Sequence, residues 1–221
     1  MLGLLYDIHG NLPALEAVLA EADEGGVDSW LLGGDYGIPS PWPLETLELL
    51  EALPNATWIR GNGERWLREP PDIPEIRAAY GEYVLGVIPD DVIDRLYRLP
   101  AQVELDGVLY VHGSPLSDVQ SFAPESEPDE DRLLAGVRER TVVFGHSHQQ
   151  FRRAGPDGTE LVNPGSAGMP LDGDRRPGWA TRDEDFRFHR TEYDVERAAA
   201  GFRGLGEFGE FVARRLEHGS D

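Results

Sequence analysis

Cysteine is absent from this 221-residue chain, and so is lysine: all 20 basic residues are arginine. The first absence excludes disulfides, thiol nucleophiles and sulfur-ligated zinc, but it leaves histidine, carboxylate and amide ligands available for a metal. Positive charge is scarce, with 41 acidic residues against 20 basic ones and a formal charge of −21. No general nucleic-acid surface is expected, because phosphate backbones are held by clustered cations. No apolar run is long enough to span a bilayer and no basic segment precedes the first apolar residues, so the expectation is a cytoplasmic protein without a membrane partner. An acidic chain can still bind phosphate if its site brings positive charge of its own, as two divalent cations would. Nothing in the sequence speaks to oligomeric state.

A hydrophobic content of 40% over this length suits one domain with a sizeable core. Apolar runs at 2–6, 29–32 and 57–60 read as strands, separated by helical stripes at 12–22, with Asn11 as a cap and Pro13 in the first turn, and at 43–53. Such alternation predicts a parallel sheet covered by helices. The stretch 64–99 reads as helical and broken by prolines. Beyond it, Asp106-Gly107 marks a hairpin between 101–105 and 108–112, 141–145 is a buried run, and 151–153 and 160–163 flank a second turn. Segments 178–182 and 186–193 continue the strands, and 195–217 closes as helix. The acidic segment 117–131 reads as a solvated loop, one that would repel charged phosphates if it overhung a site.

Polar clusters stand at each strand exit: Asp7 and His9, then Asp35, Asn62, His112, and His146 with His148. Four of the six histidines are among them. On an extended segment, positions i and i+2 project to one side, so each spaced pair could present two ligands to one point. Open α/β sheets bind ligands beyond the carboxyl ends of their strands. Singly, each cluster also reads as a cap, a turn or a buried hydrogen-bonded histidine. Their joint occurrence at strand ends is what singles them out.

These motifs resemble the calcineurin-like metallophosphoesterase superfamily, whose signature D-x-H, G-D, G-N-H-D/E, H and G-H-x-H stands here as Asp7-Ile8-His9, Gly34-Asp35, Gly61-Asn62-Gly63-Glu64, His112 and Gly145-His146-Ser147-His148. Asn163-Pro164-Gly165-Ser166 is similar to the small bacterial and archaeal phosphodiesterase branch. The resemblance implies an α/β fold, a four-layer α-β-β-α sandwich of two mixed sheets flanked by helices. The whole chain would be one domain, with a helical insertion over 64–99 and C-terminal helices over 195–217. It implies two divalent metal ions, one held by Asp7, His9 and His148, the other by Asn62, His112 and His146, with Asp35 bridging. Oxygen and imidazole ligands suit Mn²⁺ first, with Fe²⁺, Zn²⁺ or Ni²⁺ as alternatives. Asp35, Asn62 and His112 would be catalytic, and a metal-bridging hydroxide would attack phosphorus in line. The implied substrate is a small phosphoester, foremost a phosphodiester; a phosphomonoesterase, a dinucleoside polyphosphate hydrolase and a non-catalytic metal-bound scaffold are the alternatives.

Two departures bear on substrate. Gly63 replaces a family histidine that lies close to phosphate, which predicts substrates with a good leaving group or another proton donor. The block Gly34-Asp35-Tyr36-Gly37-Ile38-Pro39 lacks the arginine of the protein phosphatases. Asn11, Arg60 and Arg65 are candidate substrate-binding residues, with a helix cap for Asn11 and surface ion pairs for the arginines as the plainer roles. Tyr36, Trp42 and Trp66 read as core or as a substrate wall. His189 and His218 match no motif position.

Overall fold

The computed structural model describes residues 1–37, 39–83 and 86–220, with the side chains of 75, 76, 80, 82 and 83 left aside. Ile38, within the Gly34–Pro39 block, and positions 84–85, within the expected helical stretch, lie outside the described residues. The chain runs β1 (Leu2–Leu5), α1 (Leu12–Glu24), β2 (Ser29–Leu32), α2 (Pro43–Glu51), β3 (Ala56–Trp58), α3 (Asn62–Trp66), α4 (Pro74–Tyr83), α5 (Asp90–Tyr97), β4 (Gln102–Leu105), β5 (Val108–Val111), α6 (Glu130–Leu133), β6 (Thr141–Val143), β7 (Gln150–Ala154), β8 (Glu160–Pro164), β9 (Gly178–Arg182), β10 (Phe186–Arg190), α7 (Val195–Arg203) and α8 (Gly206–His218).

Among the described residues these strands form two five-stranded sheets, ordered β10-β9-β1-β2-β3 and β4-β5-β6-β8-β7. β1, β2 and β3 are parallel, as are β5, β6 and β8, whereas β1–β9, β9–β10, β4–β5 and β7–β8 pair antiparallel. Both sheets are mixed. The final hairpin β9-β10 returns across the chain to pair with β1 of the first sheet.

Alternation along the strands shows why two sheets stack. Leu4, Leu31, Tyr110, Val143 and Val162 meet between the sheets, whereas their neighbours Leu5 and Leu32 pack outward with Leu15, Val18, Leu47 and Ile93 of the helices. On the second sheet, Leu109, Val111, Val142 and Leu161 face Phe122 and Leu133. A strand buried on both faces loses the polar half of its period, which is why these runs are continuously apolar. The outer layer on that side is α6 with the loop before it, so the acidic segment 117–131 is not simply solvated. It buries Phe122, and Glu130 is 2% exposed, paired with Arg153 of β7. The C-terminal helical stretch consists of α7 and α8, which pack against each other and on Trp42 and Met169.

α1 starts where the sequence indicated: the Asn11 side-chain oxygen accepts from Ala14 N at 3.2 Å, and Pro13 occupies the first turn. The carboxyl ends of β1, β2 and β3 and of β5 and β6 open on one edge of the sandwich, and there the polar clusters meet.

Candidate metal centre

Among the described residues, five of the eight non-glycine residues with positive φ are Asp7, His9, Asp35, His146 and His148, at +53°, +48°, +56°, +66° and +57°. The spaced pairs therefore converge by a different route from strand alternation. β1 ends at Leu5 and β6 at Val143; the pairs lie in tight turns beyond them, in a left-handed conformation that costs on the order of 1 kcal/mol per residue. Their neighbours permit the approach. A Cβ on Gly61 would lie 2.2 Å from Asp35 Oδ1, and one on Gly145 2.4 Å from Asp7 Oδ2, so the glycine before Asn62 and before His146 is a matter of space.

The side chains point at one another. His148 Nε2, His112 Nε2 and His9 Nε2 lie 3.5, 3.8 and 3.9 Å from Asp7 Oδ1. Asp35 turns Oδ2 toward His9 (3.8 Å) and Oδ1 toward His112 (3.6 Å). His9 and His148 bring their Nε2 atoms to 3.0 Å, and His112 Nε2 is 3.0 Å from the Asn62 side-chain oxygen. His146 completes the group, its ring 5.4 Å from that of His112 and its backbone N–H donating to Asp7 Oδ2 at 2.8 Å.

Local hydrogen bonds fix which atoms face inward. His112 Nδ1 donates to Gly33 O (2.9 Å) and His148 Nδ1 to Met169 O (2.7 Å), which leaves the Nε2 of each neutral ring with its lone pair toward the cluster. Asp7 is fully buried, and its Oδ1 has no hydrogen-bond partner among the described residues. Burial depresses the imidazolium forms of His9 and His146, to about 3 and about 4, with the neighbouring His148 and His112 adding to the effect. Burial acts the same way on His112 and His148, but the charges of Asp35 and Asp7 on the first and of Asp7 on the second more than offset it, and both are raised. Burial also raises the carboxyl of Asp35.

Such a donor set fits divalent cations. Nitrogen and oxygen ligands about 2.1 Å from a common ion stand roughly 3.0–3.5 Å apart, close to the separations here. Asp7, His9 and His148 form one group able to hold an ion, and Asp7, Asp35 and His112 a second.

Three residues that sequence reasoning did not single out hold this group. Glu64, fully buried, accepts backbone N–H bonds from Asp35, Tyr36 and Gly61, each at 2.9 Å, and so ties the β2 exit to the β3 exit. Burial and then the Asp35 charge push its carboxyl up to about 7. Ser166 donates to Asp7 O (2.6 Å) and accepts from Met169 N (2.7 Å), and Asn163 donates to Ser147 Oγ (2.9 Å) between the two loop histidines. The acidic position after the Gly61-Asn62-Gly63 motif and the Asn163–Ser166 stretch carried the only signal.

The candidate substrate residues divide. Asn11 is buried, and its amide serves the α1 cap and Gly168 O (2.7 Å). Arg65 forms a two-pronged ion pair with Asp118 at 2.6 and 2.8 Å. Arg60 donates to Tyr97 O (2.7 Å). Both arginines line a cleft of about 370 Å³ that also reaches His112, Asp118 and Leu116. Tyr36 is core, with its hydroxyl donating to Leu32 O at 2.7 Å, and Trp42 packs edge-on to Phe202. His189 lies away from the cluster, stacked on Trp179, and His218 ends α8.

Comparison with known proteins bears on the fold and the family. An uncharacterized protein of Methanocaldococcus jannaschii, MJ0912, is 26% identical over 90% of each chain. The crystal structure of a metallophosphoesterase from Sphaerobacter thermophilus superposes with a TM-score of 0.82 at 25% identity, over 99% of this chain and 98% of the other. Yfce, a phosphoesterase from E. coli, shares the fold more distantly, with a TM-score of 0.52 at 23% identity over 83% and 88%. The model of the calcineurin-like phosphoesterase superfamily domain matches residues 1–185, and the chain belongs to that superfamily.

Proposed function

We propose that the protein is a two-metal phosphodiesterase, with Asp7, His9 and His148 holding one divalent cation, Asn62, His112 and His146 the other, and Asp35 shared between them. The observation that carries this reading is the buried, unpartnered Asp7 Oδ1 among three imidazole nitrogens. A buried carboxylate oxygen without a donor is costly, and a cation removes that cost. Two such ions supply a clamp on the phosphoryl oxygens and an activated water for in-line attack, and Mn²⁺ is the first ion to try.

The chain's own residues set what the ions meet. Gly33 O and Met169 O orient the His112 and His148 rings, and Glu64 holds the backbone of Asp35 in its turn. The carboxylates and neutral imidazoles leave a local excess of positive charge once two ions are bound, which draws an anionic ester into an acidic protein. The cleft beside His112 gives a second ester arm somewhere to lie, which supports a diester over a monoester.

The test is metal analysis of the purified protein together with Mn²⁺-reconstituted turnover of bis-p-nitrophenyl phosphate and p-nitrophenyl phosphate, with Asp35→Ala as the blank. Two metals per chain, faster diester cleavage and an on-the-order-of 100-fold lower kcat in Asp35→Ala are expected. Bound metals without turnover of either ester would favour a polyphosphate substrate or a scaffold role. Two tightly held metals and normal turnover in Asp35→Ala would refute the ligand assignment.

A further inference from the structure

We propose that the cleft beside His112 receives an arm of the substrate that carries its own negative charge, and that Arg60 recognises it; this rests on the phosphoesterase reading above. His112 belongs both to the ligand cluster and to the lining of the cleft, so the cleft adjoins the centre. Its two guanidinium groups differ. Arg65 is neutralised by Asp118, whereas Arg60 has no carboxylate within 4.0 Å among the described residues. The Arg60 head group is nonetheless held in place, donating from Nη1 to Tyr97 O at 2.7 Å and lying 5.2 Å from the centre of the Tyr97 ring. In a chain with 41 acidic residues, a held guanidinium with no carboxylate in ion-pair contact among the described residues, on the wall of this cleft, is a specificity element for an anion. The cleft also carries two exposed apolar side chains beside Ser117 and Asp118: Leu116 and Val119 are 53% and 44% exposed. That combination suits an arm with an apolar stem and an anionic end, a carboxylate or a further phosphate.

The test uses two p-nitrophenyl phosphodiesters that differ only in the second ester arm, n-butyl or 3-carboxypropyl, with the Mn²⁺-loaded protein. Wild type is expected to prefer the carboxylate arm by about 10-fold in kcat/KM, the scale of one hydrogen bond to a charged group. Arg60→Gln should bring the ratio to about one, and Arg60→Lys should keep part of it. A ratio of one in the wild type, or an unchanged ratio in Arg60→Gln, overturns the assignment. If neither ester is cleaved, the phosphodiesterase reading falls, and the cleft is judged by calorimetric titration of the Mn²⁺-loaded protein with pyrophosphate and orthophosphate. Tighter pyrophosphate binding that Arg60→Gln reduces, with orthophosphate binding retained, supports the cleft; equal pyrophosphate affinity in both proteins overturns it.

Discussion

His148 Nε2 stands 3.5 Å from Asp7 Oδ1, a buried carboxylate oxygen that receives no hydrogen bond, while Asp7 Oδ2 is satisfied by the backbone N–H of His146. One carboxylate thus has a structural oxygen and an oxygen left to a cation. Removing the charge should reduce the stabilisation that Mn²⁺ adds as well as the stability of the metal-free protein. Burial pulls the Asp7 carboxyl upward, but the charges of His148, His112 and His9 outweigh it and hold the group well below the usual aspartate range, so Asp7→Asn is expected to lower the metal-free Tm as well. In the wild type, Mn²⁺ at about 100 times its Kd should add about 2.7 kcal/mol, a rise in Tm of roughly 5–10 °C. Differential scanning fluorimetry with and without Mn²⁺ checks both. A Mn²⁺-induced rise in Asp7→Asn equal to that of the wild type would remove Asp7 from the ligand set.

Ser166 acts on the same pair from behind. Its hydroxyl donates to Asp7 O and accepts from Met169 N, and Met169 O receives the Nδ1–H of His148, so one side chain sets the position of two ligands. Ser166→Ala should weaken Mn²⁺ binding by about 10–100-fold, the usual cost of losing an outer-shell partner. The Met169 N–H it leaves unpaired should cost about 1–3 kcal/mol of stability, Asp7 O keeping the bond from Gly168 N. Isothermal titration of the metal and thermal melts of the metal-free protein separate the two effects. Wild-type affinity in a destabilised variant would reduce Ser166 to a purely structural role.

Glu130 provides a pH-dependent control away from the centre. Burial pulls its carboxyl upward, but the Arg153 guanidinium and the Glu127 N–H outweigh that and hold it below the usual glutamate range. A depressed carboxylate contributes stability that is complete above its unfolded pKa and is lost as pH falls through its folded one. Glu130→Ala strands Arg153, whose side chain is 14% exposed, and should cost about 3 kcal/mol near neutral pH. The two Tm-against-pH curves should therefore close on each other toward acid. Parallel curves would show that the pair adds no pH-dependent stability.

The sites most legible in the sequence were those whose meaning is local. The spacing of Asp7 and His9, and of His146 and His148, is visible in one short window, and the glycines before Asn62 and His146 announce crowding that the structure locates at Asp35 and Asp7. The expected alternation of an extended strand was wrong in mechanism although right in outcome, because sequence spacing does not reveal that these residues adopt positive φ. Partnerships across the chain were not legible. Asp118 pairs with Arg65 and Glu64 holds Asp35, each joining segments that only the sheet order brings together. An acidic loop reads as solvated until its counter-ions are known, and Glu130 with Arg153 shows that composition alone does not place it.

Gly63 bears on the chemistry of departure. Its backbone N–H donates to Asp35 Oδ1 at 2.7 Å, so the position braces the shared carboxylate, but it has no side chain that could protonate a leaving oxygen. Without a proton donor, negative charge builds on the leaving group in the transition state, and rate follows the leaving group's acidity. In metal-saturated enzyme with chemistry rate-limiting, a series of aryl phosphodiesters should show log kcat falling steeply as leaving-group pKa rises, from nitrophenols to phenol. Alkyl leaving groups should then be slow unless they carry their own acid. A flat series would mean that another group, or a water held in the centre, delivers the proton, and that Gly63 imposes no limit on the esters this protein can cleave.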